Sequence, residues 1–180
     1  MKVAVIGGGA AGFFAAISAK THHPKTDVQL FEKSSKLLSK VLVSGGGRCN
    51  VTHACYSGKE LSKNYPRGEK FLKQAFKEFQ VEDTIRWFGS QGVELKKEDD
   101  GRMFPTTNNS STIANALMNR AQELGVSVHL SSPINSIEPQ NEGFLLKSKI
   151  GVQSFDKVIV ASGGSPKRSG LLWLENLGHD

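Results

Sequence analysis

Lys2-Val3-Ala4-Val5-Ile6-Gly7-Gly8-Gly9-Ala10-Ala11-Gly12-Phe13-Phe14-Ala15-Ala16-Ile17 opens the chain just after Met1. A short β-branched run, a glycine-rich turn and an alanine-rich run predict a strand, a tight turn and the start of a helix. Gly7, Gly9 and Gly12 take the G-x-G-x-x-G positions of a dinucleotide site. The three glycines serve different ends. Gly7 permits the sharp exit from the strand, Gly9 lets a pyrophosphate approach the backbone, and Gly12 lets the helix lie close on the strand. The helix N-terminus then offers unpaired N–H groups and a partial positive charge to an anion.

A second signal lies downstream. Asp27-Val28-Gln29-Leu30-Phe31-Glu32 reads as the next strand, and Glu32 closes it twenty residues after Gly12. An acidic side chain there accepts hydrogen bonds from both hydroxyls of an adenosine ribose. The same carboxylate repels a 2′-phosphate, so the site suits FAD or NAD better than NADP. The fold class that follows is α/β, a central parallel sheet with crossover helices.

Composition bounds the rest. The chain has 180 residues, 38% of them hydrophobic and 22% charged, and a formal net charge of +6. That length suits one domain with a sizeable core, and the charge suits an anionic cofactor. The densest basic set, Lys59, Lys63, Arg67, Lys70, Lys73 and Lys77, is interrupted by Pro66 and reads as a solvated face rather than a nucleic-acid or membrane patch. No apolar run is long and clean enough to span a bilayer, and the glycine cluster breaks what would otherwise imitate a signal peptide. The expected compartment is the cytoplasm. Cys49 and Cys55 are too few for a disulfide scaffold, and with His53 they complete no zinc pattern, so no metal site is expected.

The first helix is expected over Ala10 to Thr21, ended by the polar His22-His23-Pro24-Lys25. After a lysine-bearing linker and Val41-Leu42-Val43 comes Ser44-Gly45-Gly46-Gly47-Arg48-Cys49-Asn50, a backbone-dominated loop that can pass close to a planar ring or phosphate. Arg48 adds a permanent cation and Asn50 both donors and acceptors; Cys49 would line the cofactor pocket. Phe71, Leu72, Ala75, Phe76 and Phe79 form one helical stripe, expected to be core, and Ile85 and Phe88 mark a further helix. Val93 to Lys97 and Arg102-Met103-Phe104 form a hairpin about Asp99-Asp100-Gly101. A helix follows, capped by Ser110 or Ser111 and stopped at Gly125. Val126 to Leu130 alternates as a strand, with His129 on the less buried face. Ile134 to Glu138, Phe144 to Ser148 and Val152 to Phe155 form an antiparallel meander, and Phe155 to Gly164 is a buried strand ending in small residues. Leu171 to Leu177 is a short helix.

Taken in order, the glycine fingerprint, Glu32-Lys33, the SGGGRCN run of Ser44 to Asn50, Gly101-Arg102-Met103-Phe104-Pro105 and the Val158 to Gly164 strand resemble the bacterial YhiN/BaiN-like flavoproteins. These are NAD(P)/FAD-dependent oxidoreductases of the glutathione-reductase-like two-dinucleotide-fold superfamily. The resemblance implies a non-covalent FAD, with Gly7, Gly9, Ala10, Ala11 and Gly12 at the pyrophosphate and Glu32 with Lys33 at the ribose. It implies that Ser44, Gly45, Gly46, Gly47, Arg48, Cys49 and Asn50 run toward the flavin. Ser132, Pro133 and Ile134 would contact the adenine side, and Ala161, Gly163 and Gly164 would return the chain to the FAD. It covers the N-terminal part of such a protein, so residues 1–180 are expected to be an FAD/NAD(P)-binding domain without the substrate-side domain and the late FAD-completing segment. The implied function is transfer of a hydride or electron pair through FAD to or from a small organic substrate, with NAD(P)H as a transient donor. A non-catalytic FAD- or NAD-binding module is the alternative. No His, Asp or Ser constellation marks a catalytic residue.

Overall fold

In a computed structural model that describes residues 1–165, 172–175 and 177–179, the opening apolar run is strand β1 (Lys2–Ile6), and the glycine turn leads from it into α1 (Ala10–His22). In chain order there follow β2 (Asp27–Phe31), α2 (Ser39–Gly47), β3 (Thr52–His53), α3 (Gly58–Ser62), α4 (Glu69–Glu78), α5 (Val81–Ser90), β4 (Leu95–Lys97) and β5 (Arg102–Pro105). Then come α6 (Ser110–Glu123), β6 (Ser127–His129), β7 (Ile134–Pro139), β8 (Phe144–Ser148), β9 (Gly151–Phe155), β10 (Lys157–Val160) and α7 (Leu172–Glu175). The chain divides into two units, residues 1–39 with 117–180, and residues 40–116.

The first unit is built on a parallel sheet in the order β10-β1-β2-β6. Val3, Ala4, Val5 and Ile6 of β1 are all buried, the continuous apolar run that a strand covered on both faces requires. Phe13, Ala16 and Ile17 of α1 are buried as well. The meander pairs antiparallel as β7-β8-β9. Its Ile137, Leu146 and Phe155 join Ala4, Ile6 and Phe31 of the parallel sheet in one cluster. Burying each of these large side chains is worth about 1.5–3 kcal/mol. The expected fold class, parallel sheet, crossover helices and small meander, is the one observed.

The second unit carries the antiparallel sheet β3-β5-β4. Leu61, Val81 and Met103 form one buried cluster in it, flanked by Phe76, Ile85 and Leu95. The Asp-Gly hairpin is present, with Gly101 at φ +84° and the His53 ring against its Cα. Strand β4 starts two residues later than expected because the Val93 N–H closes α5 on the Phe88 carbonyl at 2.9 Å.

Four local expectations are corrected. The aromatic stripe of α4 is core only in part: Phe76 is half-buried against Leu61, Val81 and Met103, but no residue of the helix is fully buried and Phe71 is 80% exposed. The strand expected to be buried before Gly164 is β10, a half-exposed edge, because among the described residues only β1 pairs with it. Helix α6 is capped by Asn109, whose Oδ1 accepts the Ser111 N–H at 2.9 Å, while the Ser110 hydroxyl donates to the Leu42 carbonyl at 2.8 Å. Its C-terminus behaves as read, with Gly125 at φ +74° and the Val126 N–H on the Ala121 carbonyl at 2.9 Å. His129 lies on the more buried side of β6: its ring stacks on Phe31 at 4.9 Å, and Val128 is the more exposed neighbour. Leu171 and Asn176 of the last expected helix lie outside the described residues.

Candidate dinucleotide site

Strand β1 stops where its last residue hands over to Gly7, which takes φ +116°. The Gly7 N–H donates to the Phe31 carbonyl at 2.8 Å, and the Ala161 N–H to the Ile6 carbonyl at 2.8 Å, so three parallel strands end in register. A Cβ at Gly7 would collide with the Ala161 carbonyl, and one at Gly12 with the Gly7 carbonyl oxygen. A Cβ at Gly9 would meet nothing within 4 Å. Two of the three glycines thus permit close packing, and the third leaves open space beside the helix.

That helix end suits an anion. Gly9 caps α1 with extended backbone and no side-chain hydrogen bond, and no acidic residue lies in the first turn. Ala10 and Ala11 are exposed there. The unpaired N–H groups of a first helical turn together with the macrodipole make a phosphate site.

Glu32 sits one residue beyond β2. Its carboxylate accepts the Gly8 N–H at 2.7 Å on one oxygen and the Ser34 N–H at 2.8 Å on the other. Burial alone would raise this carboxyl; the N–H bonds from Ser34 and Gly8, with Lys33 nearby, outweigh it and hold the group below the usual glutamate value. Each oxygen keeps a second acceptor direction, so a fixed, ionised carboxylate still has capacity for two hydroxyls. Gly8, outside the G-x-G-x-x-G positions, was missed by motif reading. A Cβ there would meet Leu37 Cδ2 at 2.7 Å and Glu32 Cβ at 2.9 Å, and its carbonyl accepts the Leu38 N–H at 2.8 Å. The unbroken run Gly7-Gly8-Gly9, in which the motif asks for only the outer two, was the available signal.

Behind Glu32 the Ser132 N–H donates to the Glu32 carbonyl at 2.8 Å, and the Ser131 N–H to the Ser34 carbonyl at 2.9 Å. These bonds bring Ser132, Pro133 and Ile134 to the same end of the sheet. With Gly7, Glu32 and Lys33 they line a cavity of about 150 Å³, and Phe31, Ser162 and Trp173 contribute to its walls. Phe31 is fixed from two sides, stacked on His129 and edge-on to Phe155 at 5.8 Å. Beyond β10, Gly163 turns the chain at φ +72°, and a Cβ at Gly164 would meet nothing within 4 Å.

Ser44 to Asn50 belong to the second unit. Helix α2 breaks inside this run: Ser44 is extended, and Gly45 (φ +56°), Gly46 (φ +69°), Gly47 (φ +85°) and Cys49 (φ +63°) are left-handed. The Cys49 N–H returns to the Ser44 carbonyl at 2.9 Å. Arg48 is already engaged, paired with Glu98 Oε1 at 2.5 Å and stacked 4.0 Å over Phe104. A Cβ at Gly45 would meet that same Phe104 ring at 2.7 Å and the Asn50 nitrogen at 2.8 Å. The loop is thus seated on the hairpin, and Arg48 serves that seating. Cys49 and Cys55 are free thiols, and burial pushes the Cys49 thiol up.

A parallel sheet whose first strand runs through a glycine turn into an uncapped helix is a Rossmann-type unit. The HI0933-like protein Rossmann domain matches residues 1–170, and the chain belongs to this family, the one to which the order of motifs pointed. It is 25% identical to the 3-dehydro-bile acid delta(4,6)-reductase of Clostridium scindens over 173 residues, 93% of this chain and 40% of that protein. It is 30% identical to the ribosomal RNA dihydrouridine synthase of Escherichia coli over 161 residues, 89% of this chain and 38% of that protein. The chain spans about two fifths of the length of these relatives. In fold it is similar to THI4 of Thermovibrio ammonificans, with a TM-score of 0.62 at 13% identity, covering 99% of this chain and 63% of that one. No helix among the described residues is long and apolar enough to cross a membrane.

Proposed function

We propose that the chain is the FAD-binding part of a flavoprotein oxidoreductase. The observation that carries this reading is Glu32, ionised and held by the Gly8 and Ser34 N–H groups at the mouth of a cavity that also contains Ser132, Pro133 and Ile134. Gly9, Ala10 and Ala11 take the pyrophosphate on the α1 N-terminus, Glu32 and Lys33 the ribose, and Pro133 and Ile134 the adenine side. Ala161, Gly163 and Gly164 would form the turn where the chain returns to the FAD. The Ser44 to Asn50 loop would be the segment that runs toward the flavin, and Arg48 is held by Glu98 and Phe104 of its own unit. Bound FAD supplies the hydride chemistry, and the chain binds and orients it. NAD(P)H is the electron donor. The substrate is a small unsaturated organic molecule, supported by the bile-acid reductase relative.

A second substrate reading, reduction of uridine in structured RNA, is favoured by the E. coli relative. Titration of FAD tests the cofactor assignment. In Trp87→Phe protein the remaining tryptophan, Trp173 at the cavity wall, reports binding by quenching. Saturable quenching, lost in Glu32→Ala, is expected; no quenching at high micromolar FAD would overturn the assignment. NADH-dependent loss of uridine from ribosomal RNA, against turnover of an unsaturated steroid ketone, separates the two substrates.

A further inference from the structure

Helix α4 poses a problem for the second unit. It is strongly two-faced in sequence, yet none of its residues is buried. Phe71 is 80% exposed, and Tyr65 and Tyr56 are 45% and 50% exposed. An exposed phenylalanine on a helix this polar forfeits the burial that normally justifies it.

The charges around it are one-sided. Residues 57–80 hold Lys59, Lys63, Arg67, Lys70, Lys73 and Lys77 against Glu60, Glu69 and Glu78, and Glu60 is engaged by Lys63 at 2.8 Å. Two shallow grooves flank α4. One is lined by Tyr56, Lys59, Lys73 and Lys77 over Phe76, the other by Arg67, Lys70 and Phe71 beside Pro66, with Glu69 as its one acid. Each groove therefore pairs exposed cations with an aromatic face. Tyr65 rests on Phe76 with ring centroids 5.9 Å apart, which fixes one of these rings. Cations that track a phosphate backbone beside rings on which unpaired bases stack are the arrangement that takes single-stranded nucleic acid.

We infer that the α3–α4 face is a binding surface for unpaired RNA. A purely apolar partner surface is disfavoured because the cations in excess over Glu60, Glu69 and Glu78 would have to be desolvated without counter-charge. The inference deepens the RNA reading of the substrate and rests on it; it assigns the contact to residues that take no part in the dinucleotide site.

Fluorescence anisotropy with a labelled 20-nucleotide unstructured RNA, read across a salt series, tests it on the whole chain. The expected result is binding whose log-log salt slope falls by about two in a Lys59→Ala/Lys73→Ala/Lys77→Ala variant. Phe71→Ala should weaken binding about fivefold or more, by loss of stacking, with the slope unchanged. Lys25→Ala/Lys149→Ala, on the first unit, should leave binding unaltered. These side chains are exposed, so thermal melting should match the parent protein and separate lost contact from lost fold. RNA binding that is indifferent to the triple lysine variant and to Phe71→Ala overturns this surface while leaving the RNA substrate standing. Absence of RNA binding, whether or not the chain binds anionic lipid vesicles instead, overturns both.

Discussion

The Gly8 N–H donates to Glu32 Oε2 at 2.7 Å, so the glycine turn after the first strand and the acidic end of the second are one hydrogen-bonded object. The carboxylate is oriented by the turn that opens α1. Losing either partner disturbs both halves of the site.

Two of the fingerprint glycines, Gly12 and Gly9, should separate in their effects. Gly12→Ala places a methyl group on the Gly7 carbonyl oxygen and forces α1 away from the turn, with an expected loss of about 2–4 kcal/mol in urea unfolding. Gly9→Val enters open space and should change stability by about 1 kcal/mol or less while abolishing FAD uptake. A stable Gly12→Ala protein beside an unfolded Gly9→Val protein would reverse the assignment of roles.

Glu32 makes stability depend on pH in one direction. Its carboxyl is held low in the folded protein, so the contribution is complete above the unfolded glutamate range and disappears as pH falls through the folded value. The parent should exceed Glu32→Gln by about 1 kcal/mol at neutral pH, and the difference should shrink as pH falls below the unfolded glutamate range and vanish below the folded value. Parallel melting curves at every pH would show that the carboxylate charge is not what the two N–H groups hold.

The loop seating rests on Arg48, Glu98 and Phe104. A double-mutant cycle of Arg48→Ala and Glu98→Ala should give a coupling of about 0.5–1 kcal/mol, weakened by salt because both side chains are partly exposed. Phe104→Ala, which empties a fully buried position beneath Gly45 and Arg48, should cost about 3–5 kcal/mol. An additive cycle would mean that the ion pair does not anchor the loop.

Thiol labelling gives a separate check on the same loop. Cys49 is buried and its thiol is raised, whereas Cys55 is partly open. At mildly alkaline pH a maleimide or disulfide reagent should modify Cys55 first, and Cys49 only at the rate the loop opens. Equal rates would place Cys49 at the surface.

The glycine turn, Glu32 and the meander were legible because local rules decide them: φ above zero, alternation, and spacing along two adjacent strands. Gly8 was not, because its constraint comes from Leu37 and Glu32, which meet it only after the linker folds back. Arg48 read as a free cation since its partner Glu98 lies fifty residues on. The Phe71 stripe had the period of a core helix, and periodicity cannot say whether another element arrives to cover it. The placement of β10 at the edge had the same origin: Val158-Ile159-Val160 looks buried by composition, and burial depends on a neighbouring strand that no local pattern announces.

Among the described residues the parallel sheet ends in β10 on one side and β6 on the other, with Val160 39% and Val128 37% exposed at these margins. Such margins are templates. A strand laid parallel against β10 cannot be delivered by a tight hairpin; it needs a crossover of about a dozen residues or more, so enlarging this sheet is a decision about long connections rather than about a few side chains. Meanwhile the bare hydrogen-bonding rows can recruit other copies of the chain.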